Sequence, residues 1–273
     1  MATKLELLRE EKLHRLLPDA KKDSRLEASG VALIDDRTAL VVFDNLNQVA
    51  RIDLSLEPRN ANRLYAVRSP GDGFEDIAVD PVRRRLFCLI EALEDEDGRS
   101  RGVVVETTSR ARVVRCTPLG AGLKGANKGY EGLAHARRGR REYLLALREG
   151  GGRVEAFVPG ADGGWERSHQ IRLPKEARFE DYAAVAWRDG RLAIVSQASA
   201  RVWVGRIDRA LRAVVRGSGA VYRFPKKGYG NVEGIAWLTD DTLVAVSDRK
   251  KRGQPGRCAR YDQSIHVFRV PAA

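Results

Sequence analysis

Apolar residues in this chain come in short paired runs separated by turn chemistry. Residues 231–248 show the pattern most clearly: N-V-E-G-I-A-W-L-T-D-D-T-L-V-A-V-S-D. Two apolar runs, 235–238 and 243–246, flank Thr239, Asp240 and Asp241. Asp and Thr side chains bond nearby backbone in turns, so the stretch reads as a β-hairpin. Glu233 stands just before the first run and Asp248 just after the second. An antiparallel pair brings both carboxyls to the same end.

The unit recurs. First runs are S-G-V-A-L-I at 29–34, E-D-I-A-V-D at 75–80, E-G-L-A-H-A at 131–136 and E-G-I-A-W-L at 233–238. In the fourth repeat the text is E-D-Y-A-A-V-A-W at 180–187, and two registers are open: Glu180 or Ala183 takes the glutamate position. Second runs fall at 40–43, 86–90, 144–147, 192–195 and 243–246, and alternating third strands at 48–54, 102–107, 153–158, 201–207 and 264–270. A fourth strand ended by proline appears before Pro18, Pro70, Pro118, Pro174 and Pro225, with spacings between 48 and 56 residues. Proline cannot donate to the next ladder position, which suits a strand end.

Four strands in about 50 residues is the repeat of a propeller blade, which must stack on its neighbours to cover its apolar faces. The last repeat stops after its third strand, while residues 13–17 supply a spare fourth. Adding that strand to the last blade closes the ring and removes an open edge. The expected fold is all-β: a five-bladed β-propeller closed by an N-terminal strand, with six blades the alternative. Residues 1–273 form one domain with blade cores 28–70, 71–118, 119–174, 175–225 and 226–270 plus 13–17. Residues 3–13 read as a short helix or an extended lead-in. Barrels and doubly wound sheets need helices between strands, and no amphipathic helix follows the first dozen residues.

Composition narrows the classes further. The chain has 49 basic and 37 acidic residues, net +12. The basic residues are scattered without interleaved aromatics, so no nucleic-acid partner is expected. The odd count of three cysteines, Cys88, Cys116 and Cys258, with no C-x-x-C, reads as buried thiols rather than disulfides or zinc ligands. There is no apolar leader at the N-terminus and no membrane-length apolar stretch, so the expectation is a cytoplasmic monomer without membrane contact.

Candidate chemistry gathers at one end of the hairpins. With the second runs aligned on Leu40, Leu86, Leu144, Leu192 and Leu243, five positions on stand Asn45, Glu91, Glu149, Gln197 and Asp248, all with a side-chain oxygen. The first strands open on Ser29, Glu75, Glu131, Glu180 or Ala183, and Glu233. Carboxylates this close need a proton, a basic side chain or a cation. Oxygen-only donors suit calcium, or magnesium with waters, and Glu75, Glu131 and Glu233 are the expected metal ligands. The competing reading is that the carboxylates cap strand ends and pair with Arg148, Arg249 or Lys128.

Two loops on this face contrast: 91–100 is acidic and 248–257, with Arg249, is basic. They are the expected contact surface for a protein partner or an anionic ligand. Glycine- and lysine-bearing segments at 120–130 and 225–231 match no P-loop. His14, His135, His169 and His266 sit in expected strands beside no G-x-S-x-G elbow. The four tryptophans read as packing between blades.

The repeated E-G-[IL]-A and E-D-I-A units, each followed by strand, turn and strand, resemble two related bacterial propeller groups: the SdiA-regulated family and the esterase-like-phytase group. The resemblance spans about residues 28–270 and departs at Ser29 and in the fourth repeat. It implies a propeller with a metal or ligand site on its axis and no fixed reaction. The readings, in order, are a non-catalytic propeller binding a calcium-like cation or small polar ligand, a phosphoric- or carboxylic-ester hydrolase using Glu131 or Glu233, and a protein-interaction scaffold.

Overall fold

A computed structural model describes residues 3–18, 20–58, 61–94, 96, 98–120, 122 and 129–272. Five small sheets stand in a ring, making a five-bladed β-propeller. Blade one holds Ala28–Leu33, Thr38–Phe43, Leu46–Asp53 and Arg63–Ala66. Blade two runs from Asp76–Asp80 to Val113–Leu119, and blade three from Tyr130–Arg138 to Trp165–Arg172. Blade four runs from Ala184–Arg188 to Ala220–Arg223. Blade five contains Val232–Trp237, Thr242–Ser247 and Ser264–Arg269.

Side-chain composition follows distance from the axis. The second strands lie between neighbouring blades and are buried on both faces, so T-A-L-V-V-F and T-L-V-A-V-S run nearly without polar interruption. Outer strands such as W-E-R-S-H-Q-I-R meet water and are mostly polar. The apolar core is split into five clusters, one per interface between adjacent blades. Of the cysteines, Cys88 and Cys258 are buried, whereas Cys116, expected inside, is exposed on an outer strand.

Inner strands crowd at the axis, and this explains the glycine of the E-G unit. A Cβ on Gly30 would lie 2.5 Å from the Asp76 Cα, and one on Gly234 would lie 2.8 Å from the Gly30 Cα. Gly132 faces the backbone of Val185 as closely. Asp76 takes the same place in blade two. Its carboxyl is fully buried and accepts the backbone N–H groups of Ile77 (2.8 Å) and Leu133 (2.7 Å), which ties blade two to blade three. Gly30→Ala is expected to cost about 3 kcal/mol or more, because backbone cannot yield as a side chain can. A melt matching wild type would exclude this.

An N-terminal strand closes the ring on blade five, as expected, but it is built from other residues. The strand that completes blade five is Glu6–Lys12, antiparallel to Ser264–Arg269. Residues 13–17 do not form it. Leu13–Leu16 is a single helical turn, so Pro18 follows a helix and His14 is not in a strand. Leu13, Leu16 and Leu17 instead plug the interface of blades five and one. Thr3–Lys4 runs parallel to Ala220–Arg223, so one short N-terminal segment joins two blades.

Candidate functional site: an acidic basin on the axis

The heads of the first strands and the ends of the second strands meet at one mouth of the axis. There they line a cavity of about 360 Å³. Glu75, Glu91, Glu131, Glu149, Gln197 and Glu233, all expected at this face, line it. So do Ser29, Asp44, Asp181, Tyr182, Ala183 and Lys251. Asp248 lies just behind, its Oδ2 3.6 Å from the Lys251 Nζ.

Three expected residues stand elsewhere. Asn45 is displaced by register: Val31 pairs with Val41 in blade one, where Leu133 pairs with Ala146 in blade three. That matches Ala39, not Leu40, to the other second-strand leucines and puts Asp44 in the basin. Asn45 instead bonds backbone, donating to the Arg25 carbonyl and accepting from the Glu27 N–H. Glu180 is exposed outside the cavity. The Ala183 N–H bonds the Val195 carbonyl as the Glu75 N–H bonds that of Leu89, so Ala183 holds the glutamate position and the nearby carboxylate is Asp181. Arg249 also points to solvent, and the basin's cation is Lys251. Lys128, like most of 120–130, lies outside the described residues, as do positions 95 and 97 of the acidic loop.

The basic loop is tethered. Lys251 donates to Glu233 Oε1 at 2.8 Å, Gln254 donates to the Gly230 carbonyl, and the Lys250 N–H donates to Asp262. Gln197 also donates to Glu233. Asp181 is capped by the Ser196 hydroxyl and the Ala198 N–H, and Glu91 accepts the Gly129 N–H. Asp44 differs: its Oδ1 is buried and has no hydrogen-bond partner.

Electrostatics follow from crowding. Burial, then neighbouring carboxylates, raises Glu75, Glu131 and Glu233, with Glu131 pushed up to about 10. Burial and then Asp248 push Asp44 up to about 7. Burial also raises Asp248, to about 6, against the pull of Lys251. For Lys251, burial opposes the charge, but Glu233 and Asp248 outweigh it and hold the ammonium above its ordinary range. Among the described residues, one lysine thus faces seven carboxyls in the cavity wall. Oxygen atoms of Asp44, Glu233 and Asp248 lie within 4.8 Å of one another. Of the expected metal ligands only Glu233 belongs to that trio.

A second polar group is closed off. Ser247 Oγ lies 2.8 Å from His266 Nε2, and His266 Nδ1 lies 3.4 Å from Glu10 Oε2, which also accepts from Tyr229. The order serine, histidine, carboxylate resembles a hydrolytic triad, yet Ser247 and His266 are both 0% exposed. A buried nucleophile meets no substrate, so the chain serves to staple the closing strand to blade five. Ser247→Ala is expected to cost about 1–3 kcal/mol by unpairing His266, as a urea titration would read.

Neither a protein-family model nor a curated protein matches the sequence. Solved structures resemble it in fold. A glutaminyl cyclase from Myxococcus xanthus aligns at 12% identity and TM-score 0.58, covering 100% of both chains. The PQQ-bound form of an aldose sugar dehydrogenase from Streptomyces coelicolor aligns at 14% and 0.52, covering 96% of this chain and 98% of the other. The RRP9 WD40 repeats align at 11% and 0.52, covering 98% and 100%. These neighbours are propellers that include both enzymes and a repeat domain.

Proposed function

We propose that the basin is a divalent-cation site of calcium type, centred on Asp44, Glu233 and Asp248, with Glu75 and Glu131 close enough to respond to the charge. The observation that carries this reading is the unpartnered, buried Asp44 Oδ1 within 4.8 Å of oxygens from Glu233 and Asp248. Buried carboxylate oxygens left without partners are costly, and a hard cation satisfies several at once. The donors are all oxygen, so they fit calcium, or magnesium with retained waters, and not zinc.

Isothermal titration of chelator-treated protein with calcium, magnesium and manganese tests it. Asp44→Asn and Glu233→Gln are each expected to weaken binding by about tenfold or more. Lys251→Gln is expected to tighten it, because the ammonium competes for Glu233. Absence of saturable heat with all three metals would reject the proposal.

A second reading has its own support. Glu131 holds its proton to about 10, while Asp44 in the same cavity wall releases one near 7. Two acids of unlike strength in one cavity suit general acid–base hydrolysis. That reading agrees with the resemblance to esterase-like phytases and SdiA-regulated propellers. Release of phosphate or nitrophenol from simple esters, lost in Glu131→Gln, tests it; no turnover of either ester class removes it.

A further inference from the structure

A second cavity of about 300 Å³ opens beside the basin, between blade three and the linker to blade four. Arg153, Arg172 and Arg178 line it, with Gln170, Gly152 and Tyr182. Arg153 opens the third strand of blade three and Arg172 ends the fourth, and the two are direct cross-strand partners. Arg178 follows the short helical turn Lys175–Ala177 in the linker. Three different segments therefore bring three exposed arginines to the wall of one pocket.

Like charges directly opposed across a sheet destabilise it. Several other arginines of the blades are neutralised by carboxylates: Arg167 pairs with Glu155, Arg85 with Glu106 and Arg83 with Glu142. Among the described residues, Arg153, Arg172 and Arg178 take part in no ion pair. The pocket is also shaped. A Cβ at Gly152 would lie 2.3 Å from Tyr182 Cζ, so only glycine lets the ring lie there. The Tyr182 hydroxyl donates to the Ala177 carbonyl at 3.0 Å, which fixes the ring to the linker. Tyr182 is shared by both cavities and forms the wall between them.

We propose that this pocket is an oxyanion site, binding the phosphate or carboxylate group of a ligand between the Arg153, Arg172 and Arg178 side chains. Guanidinium forks match such groups two bonds at a time, and an anion removes the repulsion of the opposed arginines. The site stands without any assignment of the basin.

The test titrates inorganic phosphate and, separately, acetate into the protein at constant ionic strength with chelator present. Saturable binding near about 1 mM is expected for at least one of them. Arg172→Gln and Arg153→Gln should each weaken it by about tenfold, and the tighter of the two probes names the ligand group. Glu131→Gln, in the basin, should leave it unchanged, which separates failure here from failure of the cation reading. In anion-free, low-salt buffer Arg172→Gln should melt at or above wild type, since it relieves repulsion. Failure of both probes to saturate, or equal binding by wild type and both arginine variants, overturns the proposal. So does an Arg172→Gln protein that melts lower while keeping its phosphate response.

Discussion

Stripped of divalent cations, the protein is expected to melt at progressively lower temperature as pH rises from about 5 to 9, and calcium is expected to abolish that fall. The sign follows from proton linkage. Glu75, Glu131, Glu233, Asp44 and Asp248 all hold protons more tightly folded than unfolded. Their contribution is intact below the unfolded values, near 4, and is lost as pH climbs through the folded ones, from about 6 for Asp248 to about 10 for Glu131. Lys251 is raised as well and keeps its charge across this window. His135 and His266 are lowered by burial and act oppositely, losing stability as pH falls below the ordinary histidine value. Glu10 is lowered through its bond to His266 and adds to the loss only in stronger acid.

The cation-free protein should therefore be most stable near pH 5 to 6. A group whose folded value lies three units up corresponds to about 4 kcal/mol in the limit, so a fall of about 10 °C by pH 9 is expected. Calcium substitutes for the protons and releases them. At 100 times its dissociation constant it stabilises by about 2.7 kcal/mol, or roughly 5–10 °C. Scanning calorimetry across pH, with calcium or with chelator, reads both effects. A flat pH profile that calcium does not change would contradict the basin's proposed chemistry.

Deleting residues 1–12 is expected to unfold the protein or leave it aggregated. Glu6–Lys12 is the outer strand of blade five, and its loss exposes the whole edge of Ser264–Arg269. Six paired positions go with it, as do Leu5, 2% exposed, and the Lys12–Asp262 ion pair at 2.7 Å. Leu5 alone contributes about 2 kcal/mol, and each lost ladder bond about 1 kcal/mol. The sum rivals the 5–15 kcal/mol stability of an ordinary domain. Removing Glu10 also takes away the carboxylate that lies 3.4 Å from the buried His266 Nδ1. Circular dichroism of the truncated chain checks this, with a peptide of residues 1–12 added in trans expected to restore folding. A truncated chain that melts like the full one would show that the ring does not depend on this strand.

The repeat was legible because each blade must bury the same faces. Apolar second strands, E-G heads and outer strands near prolines recur at one spacing, and a ring of five sheets follows. The closing strand was misplaced for a physical reason. Glu6–Lys12 lies at an outer edge, where water covers one side, so E-L-L-R-E-E-K carries no apolar alternation. The stronger apolar signal, L-H-R-L-L, belongs to a helical turn that fills an interface.

The basin was legible in outline and wrong in detail at particular residues. A-L-V-V-F at 39–43 is apolar at every position, so nothing in it marks the register that turns Asp44 inward and Asn45 out. That register comes from cross-strand pairing and the bulge between Val42 and Phe43. Lys251 was hidden among the basic residues of its loop, and only the folded path of 248–257 brings it to Glu233.

The sequence by itself determined the five-fold repeat, the E-G units that open its hairpins and the gathering of carboxyls at one mouth, since these depend on spacing along the chain. Only the tertiary structure decided which strand shuts the ring, that Asp44 and Lys251 belong to the basin, and that three arginines converge beside it. Those outcomes depend on register and on loops crossing between blades, where residues far apart in the chain meet, and no local pattern encodes such meetings.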